Sequence, residues 1–146
     1  MWPDRRLLDL LDIEHPIIQA PMAGSTGPEL VGAVSNAGGL GSFGAASTPP
    51  DRLRGVVQSI TQRTNRAFNV NLFAAHTEQY DRSASAGPAL RAKLADYHAE
   101  LGLGEVPEPA PMFGPAQAQL EVLLENRVPV ISFHFGVDRD TVQAAR

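Results

Sequence analysis

The residues predict an α/β fold in which a parallel sheet is covered by helices. Short apolar runs recur at 17–20, 40–45, 68–73 and 128–133, the first closed at both ends by proline, and each has the length of a strand buried on both faces. Between most of them lie stretches whose apolar residues return at i, i+3, i+4 and i+7, the period of a helix with one buried side. Strands alternating with helices in this way imply parallel neighbours, because a parallel pair can be joined only by a crossover.

Taken in order, Ile17, Ile18, Gln19 and Ala20, lying between Pro16 and Pro21, are expected to form the first strand. A helix follows from Pro28, with Leu30, Val31, Ala33, Val34 and Ala37 at its apolar positions. Ser25 or Thr26 can cap its start, and Gly38 stands where a left-handed stop is wanted. Residues 40–45 are a Gly-rich strand centred on Phe43. Thr48 or Pro49 then precedes a second helix, in which Pro50 is tolerated because a first-turn residue has no helical N–H bond to lose. Leu53, Val56, Val57 and Ile60 supply its buried face, and Phe68, Val70, Leu72 and Phe73 form the third strand. Residues 74–112 break the rhythm. They hold a helix around 88–101 with Leu90, Leu94, Tyr97 and Leu101 on one stripe, flanked by the small residues of 83–87 and the Pro-rich run 106–111. This stretch is expected to be an excursion above the sheet, in the manner of a lid. From Pro115 the pattern resumes: a helix carrying Leu120, Leu123 and Leu124, a fourth strand at 128–133, and a last helix opened by Asp138 or Thr141.

The 146 residues match the common size of one domain. With 43% hydrophobic and 19% charged residues the composition is globular, which excludes a disordered tail. Twelve basic against 16 acidic residues give a net charge of -4, so there is no basic field to attract nucleic acid or an anionic membrane. Small molecules or proteins are the expected partners. The absence of Cys removes disulfides, thiolate nucleophiles and the common zinc sites. Acidic residues interrupt the Leu-rich start as they would not in a signal peptide, and no run approaches the roughly 18 apolar residues of a membrane span, so a cytoplasmic location is expected.

Gly39, Gly41 and Gly44 fit the spacing of a dinucleotide-binding loop, but there a strand precedes the glycines and a helix follows. Here the order is reversed, and a helix stop with tight packing explains them better. Gln19-Ala20-Pro21-Met22-Ala23-Gly24 ends the first strand, at the edge where parallel α/β folds place their ligands. Its small residues would let the backbone approach a flat ligand, although an ordinary turn fits the residues equally well. Asn71 ends the third strand with an amide able to donate and accept hydrogen bonds to a heteroaromatic ring, and a buried strand-capping Asn is the equal alternative. His134, in Ser132-Phe133-His134-Phe135-Gly136, can act as acid, base or donor near neutral pH, though a lone His is more often structural. His15, His76 and His98 lack such placement, and without a paired His motif no metal site is expected.

Four ordered blocks together carry a resemblance: Ile17-Ile18-Gln19-Ala20-Pro21-Met22-Ala23-Gly24, Ala33-Val34-Ser35-Asn36-Ala37-Gly38-Gly39-Leu40-Gly41, Val70-Asn71-Leu72-Phe73 and Ile131-Ser132-Phe133-His134-Phe135-Gly136. With them the chain resembles the nitronate monooxygenases, formerly called 2-nitropropane dioxygenases. The resemblance implies a (β/α)8 TIM barrel holding FMN at the carboxyl ends of its strands and oxidising alkyl nitronates with O2 to a carbonyl compound and nitrite. It implies that Ala20, Pro21, Met22, Ala23 and Gly24 line the flavin through backbone contacts, that Asn71 hydrogen-bonds it, and that His134 faces the substrate as the candidate catalytic group. Flavin reductases share the first blocks, which keeps an NAD(P)H-dependent reductase as an alternative. A complete barrel needs about 250 residues, and the Gly-Gly-His segment that carries the family's usual base has no match among these residues. Residues 1–146 are therefore expected to form the N-terminal half of the barrel: a fragment, a truncated product, or a half-barrel completed by a second chain. A catalytically silent half-barrel is the remaining alternative.

Overall fold

A computed structural model describes residues 2–73, 87–108 and 115–145. Much of the expected lid, residues 74–86 and 109–112 including His76, lies outside the described residues. The chain divides into two compact units, one of Met1–Glu78 with Phe113–Arg146 and one of Gln79–Met112.

The first unit holds α1 (Arg6–Leu11), α2 (Pro28–Asn36), β1 (Gly41–Gly44), α3 (Pro50–Thr61) and β2 (Phe68–Phe73). After α4 (Pro88–Leu101), which belongs to the second unit, come α5 (Ala116–Glu125), β3 (Val130–His134) and α6 (Arg139–Ala144). The three strands are parallel and lie in chain order, β1-β2-β3, with Gly44 opposite Asn71 and Asn71 opposite Ser132. Sequential order has no point at which the winding reverses, which separates this sheet from doubly wound dinucleotide folds and matches part of a TIM barrel. The expected first strand is reduced to one parallel bridge, Ile18 to Leu40. Prolines at 16 and 21 bound it, and neither can donate to a ladder.

Period-two alternation sorts the sheet into two faces. Phe43, Phe68, Val70 and Leu72 point into the main core with Leu53, Val57 and Ile60 of α3 and Leu120 and Leu123 of α5. Val31 of α2 joins them. Ser42, Asn69, Asn71 and Ser132 alternate with those residues and lie on the opposite face, where a barrel has its interior. α2 differs from its expected packing: its buried residues are Val31, Gly32 and Ser35, while Leu30 is 41% exposed. Small residues win there because α2 sits directly on Gly41, whose N–H donates to Ser35 Oγ at 3.2 Å. Neither Ser25 nor Thr26 caps this helix. Gly27 is its N-cap, without a side-chain hydrogen bond, and the Thr26 hydroxyl donates to the Met22 carbonyl instead.

The fourth predicted strand begins two residues late, at Val130, because Pro129 cannot donate and the Val128 N–H is committed to Leu123 O of α5 at 3.1 Å. α1 has no counterpart among the predicted elements. Its Leu8 is buried with Ile13 and Leu40, against Leu11, Ala67 and Val130, so this smaller core closes the amino-terminal ends of the strands. α6 is capped as expected by Asp138, which accepts from the Thr141 N–H at 2.7 Å. That backbone bond holds the Asp138 carboxyl below the usual carboxylate range. A depressed folded pKa stabilises above the unfolded value and is lost as pH falls through the folded one. Acidification through that lowered folded value should therefore reduce the protection factor of the Thr141 amide, measured by NMR exchange against the rate of an unstructured chain at the same pH, while buried amides of β2 stay protected.

In the second unit α4 ends at Gly102, whose φ of +65° closes the helix in the left-handed region. Arg91 pairs with Glu108 at 2.6 Å, and His98 Nδ1 lies 3.2 Å from Gly104 O. Leu90, Leu94, Tyr97 and Leu101, the expected stripe, are all exposed. Among the described residues no helix is long and apolar enough to cross a membrane.

Candidate functional site

The polar face of the sheet converges at the carboxyl ends of the strands. Asn71, next to last but one in β2, is 8% exposed and accepts a hydrogen bond on Oδ1 from Ser132 Oγ of β3 at 2.9 Å. That bond fixes which way the amide points and leaves Nδ2 without a partner among the described residues. On its other side Asn71 is in register with Gly44, and its carbonyl accepts from Ala45 N–H at 2.9 Å.

Gly44 is where the 20–24 segment crosses β1. A Cβ on Gly44 would stand 2.8 Å from Ala23 N and 3.2 Å from Met22 C, so only glycine lets that backbone come so close. The segment turns on its own hydrogen bonds: Ser25 N–H, Thr26 N–H and the Thr26 hydroxyl all donate to Met22 O, at 3.1, 3.0 and 2.9 Å. The groups this turn leaves free include donors. The N–H groups of Ala23 and Gly24 have no acceptor among the described residues, and Gly24 has a φ of +78°. The Met22 side chain is 44% exposed.

His134 ends β3 on the same face as Asn71 and Ser132, opposite Phe73. Its exposed ring lies 5.6 Å from that of Phe73 and meets Phe135 edge-on at 4.7 Å. Phe135 takes a φ of +67°, a left-handed conformation unusual for an aromatic residue, before Gly136 at +99°. Deeper on the polar face, Ser42 Oγ and Asn69 Oδ1 are buried without a partner among the described residues.

Of the residues predicted for a site, Met22 and Ala23 of the 20–24 segment pass over Gly44, Asn71 is in register with Gly44, and His134 ends β3 two residues beyond Ser132. Three contributors were not singled out by sequence. Ser132 was legible as the residue two before His134, hence on its face. Gly44 read only as part of a false dinucleotide spacing. Gln119 of α5 gave no signal, yet its buried amide donates to Ala45 O at 2.8 Å and Thr48 O at 2.7 Å and so anchors the loop after β1.

The family model for nitronate monooxygenase matches residues 4–146. The chain belongs to the nitronate monooxygenase family. A probable nitronate monooxygenase of Staphylococcus aureus strain MRSA252 is 35% identical over 142 residues, covering 97% of this chain and 39% of the relative. The chain therefore spans about two fifths of the length of the curated nitronate monooxygenases it matches. Among solved structures, nitroalkane oxidase from Streptomyces ansochromogenes is 36% identical with a TM-score of 0.78, over 96% of this chain and 39% of that one. FabK from Thermotoga maritima is 28% identical with a TM-score of 0.63, over 96% and 34%.

Proposed function

We propose that this chain supplies the flavin-cradling strands of an enzyme that oxidises alkyl nitronates with O2 to a carbonyl compound and nitrite, with FMN as cofactor. The observation that carries the reading is the Asn71 amide, oriented by Ser132 and flanked through Gly44 by a segment with two unpaired backbone donors. This donor set suits a flat heteroaromatic ring rich in acceptor atoms, and the orphaned Ser42 and Asn69 oxygens keep the neighbouring face polar. FMN, when bound, would supply the electron transfer between nitronate and O2.

The chain's own groups position and polarise. Asn71 Nδ2 would donate to the ring, and Ser132 would hold it in that orientation. The Ala23 and Gly24 N–H groups would stabilise negative charge gathering on an acceptor above β1, as fixed dipoles do without reorganising. Met22 would pack an apolar side chain against the ring. His134, its imidazole exposed between two phenyl rings, would face the anionic nitronate and donate a hydrogen bond to it.

The reading is tested by titrating FMN into the chain and its variants, following flavin fluorescence. Asn71→Ala should weaken binding about tenfold or more, the effect of losing one buried hydrogen bond to a ligand. Asn36→Ala should not. Its amide is committed elsewhere, donating to Arg63 O at 2.9 Å and accepting from the Thr64 hydroxyl at 2.7 Å, so that variant loses stability alone. Equal FMN affinity in wild type and Asn71→Ala would sink the assignment. Nitrite release from a nitronate without nicotinamide, by an FMN-loaded protein containing these residues, would separate nitronate oxidation from flavin reduction.

A further inference from the structure

The bridge at Ile18 follows the ordinary parallel pattern for one step and then departs from it. Leu40 N–H donates to Ile17 O at 2.9 Å, and Gln19 N–H donates to Leu40 O at 3.0 Å. Continued by one step, the ladder would have Ser42 N–H donating to the Gln19 carbonyl and residue 21 donating to Ser42 O. Residue 21 is proline and has no N–H. The Gln19 side chain takes over both bonds: its Oε1 accepts from Ser42 N–H at 2.9 Å and its Nε2 donates to Ser42 O at 3.1 Å. Nε2 also donates to Ala20 O.

We infer that Gln19 and Pro21 act together as a splice, in which a side-chain amide completes the edge of β1 so that the main chain is released to cross Gly44. A primary amide carries the same donor and acceptor as a peptide unit, so Ser42, fully buried, loses no hydrogen bond when the strand leaves it. The released backbone then reaches Gly44, where only glycine admits it. Gln19 is on this view a positioning residue: it touches no ligand and determines where the 20–24 donors stand. The consequence for ligand binding rests on the FMN reading above; the backbone device does not.

Gln19→Leu, Pro21→Ala and the double variant test it in the full chain. Gln19→Leu should expose the Ser42 amide to exchange, lower Tm by several degrees and weaken FMN binding about tenfold. In Gln19→Leu/Pro21→Ala a backbone donor is restored at position 21, so Ser42 protection and Tm should recover as the strand runs on, while FMN binding stays weak. Because the chain no longer crosses β1, adding Gly44→Ala should cost less stability in the double variant than in wild type, a readout independent of any flavin. An unprotected Ser42 amide in wild type, or the same Gly44→Ala cost in both backgrounds, would overturn the splice. Recovery of FMN binding together with Tm in the double variant would reduce Gln19 to a purely structural role. Failure of the wild-type chain to take up FMN, with the exchange and Gly44 results as expected, would overturn the flavin reading and leave the splice intact.

Discussion

Gly41→Ala is expected to cost about 3 kcal/mol of folding stability, the upper part of the range for overpacking a tight interior. The added methyl would stand 2.8 Å from the Val31 carbonyl carbon, closer still to its oxygen, and 2.9 Å from Ser35 Oγ. Two of those three atoms are helix backbone, which cannot rotate aside as a side-chain end can. α2 would have to lift from β1, opening the bond between Gly41 N–H and Ser35 and loosening Val31, which is fully buried. Gly55→Ala is the matched control: it lies inside α3 with nothing within 4 Å of the new methyl, and should stabilise by about 0.5–1 kcal/mol. Urea unfolding should show the two midpoints moving in opposite directions at similar slope. An unchanged midpoint for Gly41→Ala would mean that α2 does not sit on β1 as described.

Gln119→Leu should destabilise by about 2 kcal/mol, because at nearly constant volume it leaves Thr48 O without a donor and takes from Ala45 O one of its two. The amide is 1% exposed, and no water can replace it without opening the loop between β1 and α3. The loss should be concentrated there. Thr48 N–H, which donates to Ala45 O at 2.8 Å, should exchange faster in the variant, and the Ala45 N–H bond to Asn71 O should weaken with it. Thermal melting with amide exchange checks both parts. A variant with a wild-type Tm and a protected Thr48 would show that the loop is held by other contacts.

The helices with strong apolar periodicity were legible at nearly their observed bounds: Leu53, Val57 and Ile60 of α3 are buried as their spacing requires, and β2 runs over the predicted 68–73. What resisted was decided by contacts remote in sequence. Val31, Gly32 and Ser35 form the buried side of α2 because Gly41 lets the helix close in, which the pattern of large apolar residues cannot report. α1 is six residues, four leucines with Arg6 and Asp9, too brief to establish a period, and becomes informative only once Leu40, Ala67 and Val130 are brought beneath it. The candidate site divides similarly. Asn71 and His134 announced themselves by chemistry at strand ends, whereas Gln119 is an unremarked polar residue among leucines until the loop it holds is folded against it.

The alternation along β2 places residues with different duties one position apart. Phe68, Val70 and Leu72 are answerable to the packing of α3 and α5, while Asn69 and Asn71 between them face the interior and leave that core untouched. Selection can therefore act on adjacent codons for unrelated reasons. A drift from one ligand or reaction to another needs changes only in the interior set, and the helical layer can stay as it is while the chemistry diversifies.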